Sequence, residues 1–490
     1  MSVLKKLAGQ TVVYGLSSIL GRVLNYLLVP LYTSELSGFS LSDYGIVTEL
    51  YAYVAFLNII YVYGLETAYF RFSKQGDKKY FHLAFSSILI TSLFLSGFLW
   101  IFSVNISELI GNPGSHRFIR WLALILGIDA VVAIPFAKLR QDGKALMFAS
   151  FKLINIVLNI SFNLFFILLC PWLIARHPNH FLASIYDSTL GIGYVFLSNL
   201  FANATYLFLF IPIWKGVRIY FNGPEWKRLI KYAAPILVIG LAGVTNEMLS
   251  RAILKYRLPE AFYASYTNLE ILGIFGACYK LSVFMTLAIQ AFRYAFEPFL
   301  FAQAKEKDSP QLFSKVMTYF VLFTGFSWLI LSLFIPYYAP IFLRQDSYLF
   351  ALDAVPLLLG GGLFLGIFYN LSLWYKLTDQ PRFGAIITVA GAVLTFALNW
   401  LLIPAFGYIG SAYATFISYF GMMLFSYFWG KVHYPVPYEK SKILIFILAI
   451  TITIFFNSSY NLSLLAKVTI STIFLGLMYL MQRRDFAPRR

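Results

Sequence analysis

Residues 83–102 read LAFSSILITSLFLSGFLWIF, a run without one charged side chain. A helix of about 20 apolar residues crosses a hydrocarbon core of roughly 30 Å. Similar runs recur along the whole chain, and they predict an all-α polytopic membrane protein of about fourteen transmembrane helices. The predicted spans are 8–31, 43–66, 80–102, 118–137, 146–171, 188–213, 229–251, 267–297, 312–336, 353–375, 383–403, 408–430, 441–457 and 462–481.

Composition supports this prediction. Of the 490 residues 60% are hydrophobic and only 12% are charged, which leaves too few polar side chains to cover a water-soluble protein of this size. The first apolar run is too long for a signal peptide and lacks a small-residue cleavage site, so it is predicted to remain a membrane helix. No predicted loop is long enough for a soluble domain, which argues against membrane glycosyltransferases and polymerases.

The positive charge is unevenly distributed. Roughly two thirds of the 38 Lys and Arg residues fall in alternate loops, the pattern of cytoplasmic segments in a membrane protein. Both termini are therefore predicted to be cytoplasmic, and the net charge of +17 does not indicate a nucleic-acid partner. The basic segments are Lys5 and Lys6, 71–79, 138–144, 215–231, 305–315, 376–382, 431–442 and 483–490. Cys170 and Cys278 lie in or beside apolar segments and are interpreted as small buried hydrophobes.

Weak internal echoes predict a duplication. The segment 159–164 with 191–194 is echoed by 399–402 with 407–410. The offsets of the two parts, 240 and 216 residues, correspond to about six helices, and an even helix number returns the chain to the same side of the membrane. We therefore predict parallel repeats, with a six-helix bundle at 1–220, a second at 221–435, and two additional transmembrane helices with a basic cytoplasmic tail at 436–490.

Ionisable side chains inside a bilayer need a partner or a watery cavity. Arg22 and Asn25 share a polar face of the first helix, which we expect to line a cavity, although Arg22 could instead snorkel or pair structurally. Lys152 opens a stripe of asparagines on the fifth helix, suited either to a cavity or to interhelical hydrogen bonds. In the eighth helix Lys280 is the better cavity candidate, and Arg293 lies nearer the cytoplasm.

The seventh helix carries Glu247, Arg251 and Lys255 at successive four-residue intervals. The acid can pair with Arg251 within the helix or Arg251 can contact a ligand, and Lys255 is expected to reach the outer interface. The few other embedded acids include Asp129 and Glu66, which with Glu247 are candidates for coupling or pairing. Because bases predominate, the predicted ligand is an anion such as a phosphate or pyrophosphate.

Other motifs point to no catalytic, metal or cofactor chemistry. His177 and His180 flank a proline in an exposed loop without a third ligand, so we interpret them as loop residues. Neither GxxxxGK[ST] nor GxGxxG occurs, which argues against nucleotide hydrolysis. No cofactor is expected.

Three stretches carry a family resemblance. These are GLETA at 64–68 leading to Arg71, YKL at 279–281 with QAFRYAFEP at 290–298, and LIP at 402–404 with GYIGSA at 407–412. Through them the chain resembles, over nearly its whole length, the polysaccharide and O-antigen flippases of the multidrug/oligosaccharidyl-lipid/polysaccharide exporter (MOP) superfamily.

The resemblance implies two six-helix bundles forming a V around a central cavity, with two further helices. It also implies a polyprenyl-pyrophosphate-linked oligosaccharide as substrate, moved from the cytoplasmic to the outer leaflet of a bacterial inner membrane by alternating access. Implied partners are this lipid-linked oligosaccharide, membrane lipid, a polysaccharide polymerase and chain-length machinery. Cavity bases of the family map onto Arg22, Arg251 and Lys280. Where relatives often show Asp-Arg this chain has Ser250-Arg251, and Glu247 can replace that acid.

Two alternatives stay open. A multidrug exporter of the same fold would exchange cationic drugs for ions and should present acidic cavity residues. An oligosaccharide polymerase or ligase would need an outer loop with catalytic groups, for which Arg176, His177 and His180 are the crowded candidates. The excess of embedded bases favours the flippase.

Overall fold

A computed structural model describes residues 19–21, 23–24, 26–73, 78–303, 306 and 308–483. Within these residues the regular secondary structure is helical and no strand occurs. The predicted first helix, 8–31, lies largely outside the described residues. The chain forms two compact units.

The first unit runs up to Lys255 and also takes in Leu269–Gly273. Its long helices are α1 (Leu41–Val62), α2 (Leu65–Phe72), α3 (Lys79–Ile101), α4 (His116–Gln141), α5 (Ala145–Leu164), α6 (Gly193–Leu209) and α7 (Gly223–Arg257). Shorter helices are Val29–Tyr32, Ser103–Leu109, Cys170–Arg176, Leu182–Ile185 and Ile211–Trp214. A π-helical turn, Phe165–Leu169, joins α5 to Cys170–Arg176.

The second predicted span is a broken helix. α1 begins at a capping box in which Ser40 and Asp43 satisfy each other's backbone N–H groups. It ends where Tyr63 and Gly64 take positive φ values of 35° and 77°, after which α2 resumes. A Cβ on Gly64 would lie 2.7 Å from the carbonyl oxygen of Ala233 in α7, so the close approach of the two backbones requires glycine.

The second unit comprises Tyr256–Asn268 and the residues from Ile274 onward. Its long helices are α8 (Asn268–Leu281), α9 (Val283–Gln303), α10 (Ser309–Leu333), α11 (Ala354–Leu371), α12 (Pro381–Phe406), α13 (Tyr408–His433), α14 (Lys440–Tyr460) and α15 (Leu464–Arg483). Its shorter helices are Ile335–Phe342 and Leu373–Leu377. Phe275, Phe320 and Tyr348 are fully buried in its core.

The first turns of α8, Leu269–Gly273, pack instead with the first unit, against the start of α1. A Cβ on Gly45 would lie 2.2 Å from the Leu269 carbonyl oxygen, and a Cβ on Gly273 would lie 2.4 Å from the Leu41 carbonyl oxygen. Two glycines thus allow these helix ends to approach closely, as small residues commonly do between membrane helices.

Twelve segments of the described chain are long and apolar enough to cross a membrane, the first being Leu41–Phe72 and the last Leu464–Met481. They coincide with twelve of the predicted spans to within several residues, and α6, with 17 residues, corresponds to another. The chain is therefore an all-α, multi-pass membrane protein. The total of about fourteen helices, the parallel repeats and the domain boundaries stay predictions.

Candidate functional site

The interior of the first unit holds a hydrogen-bonded group of polar side chains. Asn203 of α6 donates from Nδ2 to the Asp129 carboxylate of α4 at 2.9 Å. The side-chain oxygen Oδ1 of Asn203 accepts from Nδ2 of Asn155 on α5, also at 2.9 Å. The amide of Asn203 therefore bridges an acid on one membrane helix and a polar residue on another.

Lys152 lies beside this group, one turn before Asn155. Its ammonium is 4.3 Å from the centre of the Phe136 ring and 5.5 Å from that of Tyr206. Asp129 interacts with it electrostatically, but no carboxylate oxygen of the described chain comes within ion-pair distance of Lys152. The described residues offer its N–H groups no hydrogen-bond acceptor either. Lys152 is thus a cation held on aromatic faces with donors available to a ligand.

Further hydrogen bonds extend this group along the unit. Asn199, one turn before Asn203 on α6, donates to the Tyr51 hydroxyl at 3.1 Å. Toward the other end of α5, Asn163 accepts from the Tyr32 hydroxyl at 2.7 Å and donates to the Asn159 backbone carbonyl. We call the whole set the polar seam. Its members are Tyr32, Tyr51, Asp129, Lys152, Asn155, Asn159, Asn163, Asn199 and Asn203.

Asp129 and Lys152 are the two sequence-predicted site residues that the structure brings together in the seam. Tyr51, Asn199 and Asn203 were not predicted as site residues. The spacing of Asn199 and Asn203 by four residues in an otherwise apolar helix is the signal that could have identified them, because both then share one face of α6.

Arg251 is buried in α7, with 7% of its surface exposed. Its Nη2 donates to the backbone carbonyl of Glu247 at 2.7 Å, one turn earlier. Arg251 and Glu247 are therefore adjacent, as the four-residue spacing predicts. This hydrogen bond is accepted by the main chain of Glu247.

Lys255 forms a buried ion pair. Its ammonium lies 2.9 Å from Glu49, whose side chain is fully buried, and 2.6 Å from the carbonyl oxygen of Ile110. Asn112 donates to the same carboxylate at 2.7 Å, and the Tyr53 hydroxyl donates to its other oxygen at 3.0 Å. The Lys255 side chain is only 12% exposed, so it is held inside the first unit by α1 and the turn after Ser103–Leu109.

Glu66 of α2 pairs with Arg140 at the end of α4. The guanidinium group of Arg140 also lies 5.1 Å from the ring centre of Phe70. Both side chains are about one third exposed, which marks the pair as a contact near the surface of the unit, not in the polar seam.

In the second unit Arg293 of α9 lies 4.4 Å from the ring centre of Tyr369, and Lys280 is half-buried near the end of α8. One further base, Lys467 of α15, lies within the predicted span 462–481 and was not identified as a site residue from the sequence. Only 2% of its surface is exposed, and its ammonium lies 5.4 Å from the centre of the Tyr337 ring. The two remaining predicted site residues, Arg22 and Asn25, lie outside the described residues.

The arrangement of polar and basic side chains in the first unit suits the binding of an oxyanion more than covalent catalysis. Arg251 supplies a buried cation and Lys152 a half-buried one, and the other members of the seam supply amide and hydroxyl groups that can hydrogen bond to polar atoms. Among the described residues no group of three His, Cys, Asp or Glu side chains is arranged to hold a metal ion.

Solved structures identify the class of the fold. The lipid II flippase MurJ in its inward closed conformation matches 96% of this chain and 99% of its own, with a TM-score of 0.71 and 14% sequence identity. A mutant of the Vibrio cholerae MATE transporter VcmN matches 89% of this chain and 100% of its own, with a TM-score of 0.60 and 14% identity. An inward-facing multidrug resistance MATE family transporter of the MOP superfamily matches 91% of this chain and 96% of its own, with a TM-score of 0.55 and 16% identity. The chain has the membrane-transporter fold that these proteins share.

Within that class, residues 39–178 match a family model described as polysaccharide biosynthesis protein. No curated protein matches the chain significantly by sequence. The resemblance that the sequence predicts thus agrees with two findings, the fold shared with MurJ and with the MATE transporters and the family match at residues 39–178.

Proposed function

We propose that this protein is a flippase that moves a polyprenyl-pyrophosphate-linked oligosaccharide, the unit of an O-antigen or another surface polysaccharide, across the membrane. The observation that carries the proposal is a MurJ-like fold over 96% of the chain combined with the polysaccharide-biosynthesis match at 39–178. We assign it to the inner membrane of a bacterium with both termini in the cytoplasm, on the distribution of Lys and Arg. No covalent bond is made or broken in this process.

The charge of the interior supports an anionic substrate. Lys152 keeps its donors available within the polar seam, and Arg251 is buried in α7. A pyrophosphate can replace part of its hydration with such groups as it crosses, while its isoprenoid chain stays in the bilayer. We expect transport to proceed by alternating access, with a polysaccharide polymerase and chain-length machinery acting on the exported product.

The membrane potential supplies a driving force for this direction. An inside-negative potential is worth about 2.3 kcal/mol per elementary charge per 100 mV, so export of roughly two negative charges is favoured by about 4–5 kcal/mol. Charge movement can therefore drive the flippase without a coupling ion.

The fold is also that of MATE multidrug transporters, so the experiment must separate the two functions. Deletion of the gene should leave lipid-linked glycan on the cytoplasmic leaflet and remove the surface polysaccharide, and the wild-type gene should restore it. A deletion strain with normal surface polysaccharide and increased sensitivity to cationic drugs would instead support the multidrug exporter.

A further inference from the structure

Several exposed cations lie close in sequence to a group of packed aromatic rings in the first unit, and one of them, Arg228, contacts a ring. The ring of Phe72 is stacked on Tyr80 at 5.8 Å and meets Tyr232 edge-on at 5.6 Å. The guanidinium group of Arg228 lies 5.2 Å from the Phe72 ring centre. Five exposed cations lie within five residues of these rings in the sequence, namely Arg71, Lys78, Lys227, Arg228 and Lys231. We call the surface formed by these cations and rings the basic platform.

The cations of the platform are available to a ligand. No carboxylate of the described residues pairs with any of them, and the nearby acid Glu225 is paired with Lys79. The three helix ends that carry the platform, those of α2, α3 and α7, belong to segments that the Lys and Arg distribution assigns to the cytoplasm. The platform is therefore a cationic surface at the predicted cytoplasmic boundary of the membrane.

An apolar groove lies beside α3, one of the helices that carry the platform. Its volume is about 400 Å³, and its lining comes from α1, the helix break at Tyr63 and α3. The residues that line it are Ile60, Tyr63, Ile90, Thr91, Phe94 and Leu95. Ile90 is 56% exposed and Phe94 is 73% exposed on a helix that spans the membrane, so the groove is open to hydrocarbon.

Hydrogen bonds connect the groove to the platform. The Tyr63 hydroxyl at one end of the groove is 2.8 Å from Ser87 Oγ, and the indole Nε1 of Trp226 donates to the same Oγ at 2.8 Å. Trp226 directly precedes two platform residues, Lys227 and Arg228. Along α3 the platform and the groove are about 16 Å apart, from the helical rise between Lys79 and Ile90. One surface thus joins a cationic end to a hydrocarbon-lined end.

We propose that this surface holds the lipid-linked substrate on the cytoplasmic side before it crosses, with the pyrophosphate on the basic platform and the isoprenoid chain in the groove. This inference rests on the proposed function. The opposite charges of the platform and the pyrophosphate select the headgroup, because cations near a membrane surface attract anionic lipid headgroups. The groove adds contacts that a long isoprenoid chain can fill without leaving the bilayer.

The test is photolabelling of the full-length protein in phosphatidylcholine nanodiscs with a diazirine-bearing undecaprenyl pyrophosphate. We expect labelled peptides from the groove, and competition by unlabelled undecaprenyl pyrophosphate but not by phosphatidylglycerol at equal concentration.

Ile90→Trp should fill the groove and reduce labelling, whereas Leu444→Trp, at a site that is 58% exposed on α14, should not. Arg228→Gln should weaken probe binding by about fivefold, equivalent to about 1 kcal/mol. Lys431→Gln, an exposed cation on α13, is its matched control.

Equal competition by phosphatidylglycerol would overturn the proposal and assign the groove to ordinary membrane lipid. Equal labelling of Ile90→Trp and Leu444→Trp would overturn it as well. Flipping of a lipid-linked oligosaccharide is measured in the same wild-type preparation after reconstitution in vesicles. Protein that flips the substrate but is not labelled in the groove would refute the docking site and leave the proposed function intact, whereas protein that does neither contradicts both.

Discussion

The buried pair of Glu49 and Lys255 allows a quantitative test of how α7 is held in the first unit. The Glu49 carboxylate is fully buried and is contacted by the Lys255 ammonium at 2.9 Å, with Asn112 and Tyr53 as further donors. Lys255→Met removes the cation but keeps most of the side-chain volume. It leaves a buried carboxylate without its counter-charge, a change that costs about 3–5 kcal/mol.

An exposed pair in the same protein provides the control. Lys442 and Glu439 also lie 2.9 Å apart, but their side chains are 41% and 30% exposed. Lys442→Met should cost about 1 kcal/mol or less, because solvent screens such a pair. The double variant Glu49→Gln with Lys255→Met should recover much of the loss, since it removes both buried charges.

The assay is reversible unfolding of the purified variants in mixed detergent micelles, followed by tryptophan fluorescence. The reasoning predicts a much larger loss for Lys255→Met than for Lys442→Met, and a double variant that is more stable than Lys255→Met alone. It would be refuted if the two lysine variants unfolded at the same midpoint, or if the two substitutions at the buried pair were simply additive.

Three further predictions concern packing, topology and pH. Gly45→Ala should cost about 1–3 kcal/mol in the same assay because its Cβ would overlap the backbone of α8, whereas Gly97→Ala, with open space around it, should be nearly neutral. An impermeant thiol reagent should label Ile185→Cys in intact cells but Arg218→Cys only after permeabilisation, and early labelling of Arg218→Cys would contradict the topology. The hydrogen bonds from Thr189 lower the pKa of Asp187. The loop that contains Asp187 and Thr189 should therefore lose protection from hydrogen exchange as the pH falls below about 4, and Asp187→Asn should lack that pH dependence.

The positions of the membrane helices could be predicted from the sequence because hydrocarbon excludes charged and unpaired polar groups. The break at Tyr63 and Gly64 could not, since the predicted span 43–66 runs through it without interruption. Its cause is tertiary: the backbone of Gly64 packs against Ala233 of α7, and no local pattern encodes that approach.

The candidate site could be predicted only in part. Asp129 and Lys152 were identified because charged residues inside membrane helices need partners. Their proximity depends on how α4, α5 and α6 are rotated about their axes, which the spacing within one helix does not determine. The bridging role of Asn203 and the burial of Lys467 under Tyr337 likewise arise from packing between helices distant in the sequence.

The most direct test of the proposed function is transport by the purified protein in vesicles with an imposed membrane potential. The substrate is a fluorescent polyprenyl-pyrophosphate-linked oligosaccharide, and the variants are Lys152→Gln, which keeps the helix but removes the cation, and Arg22→Glu. We predict that wild-type protein flips the lipid-linked oligosaccharide, that a potential negative on the side of origin accelerates it, and that both variants slow it. The proposed function would be contradicted if the wild-type protein did not flip this lipid while it transported a cationic drug in exchange for protons or sodium ions.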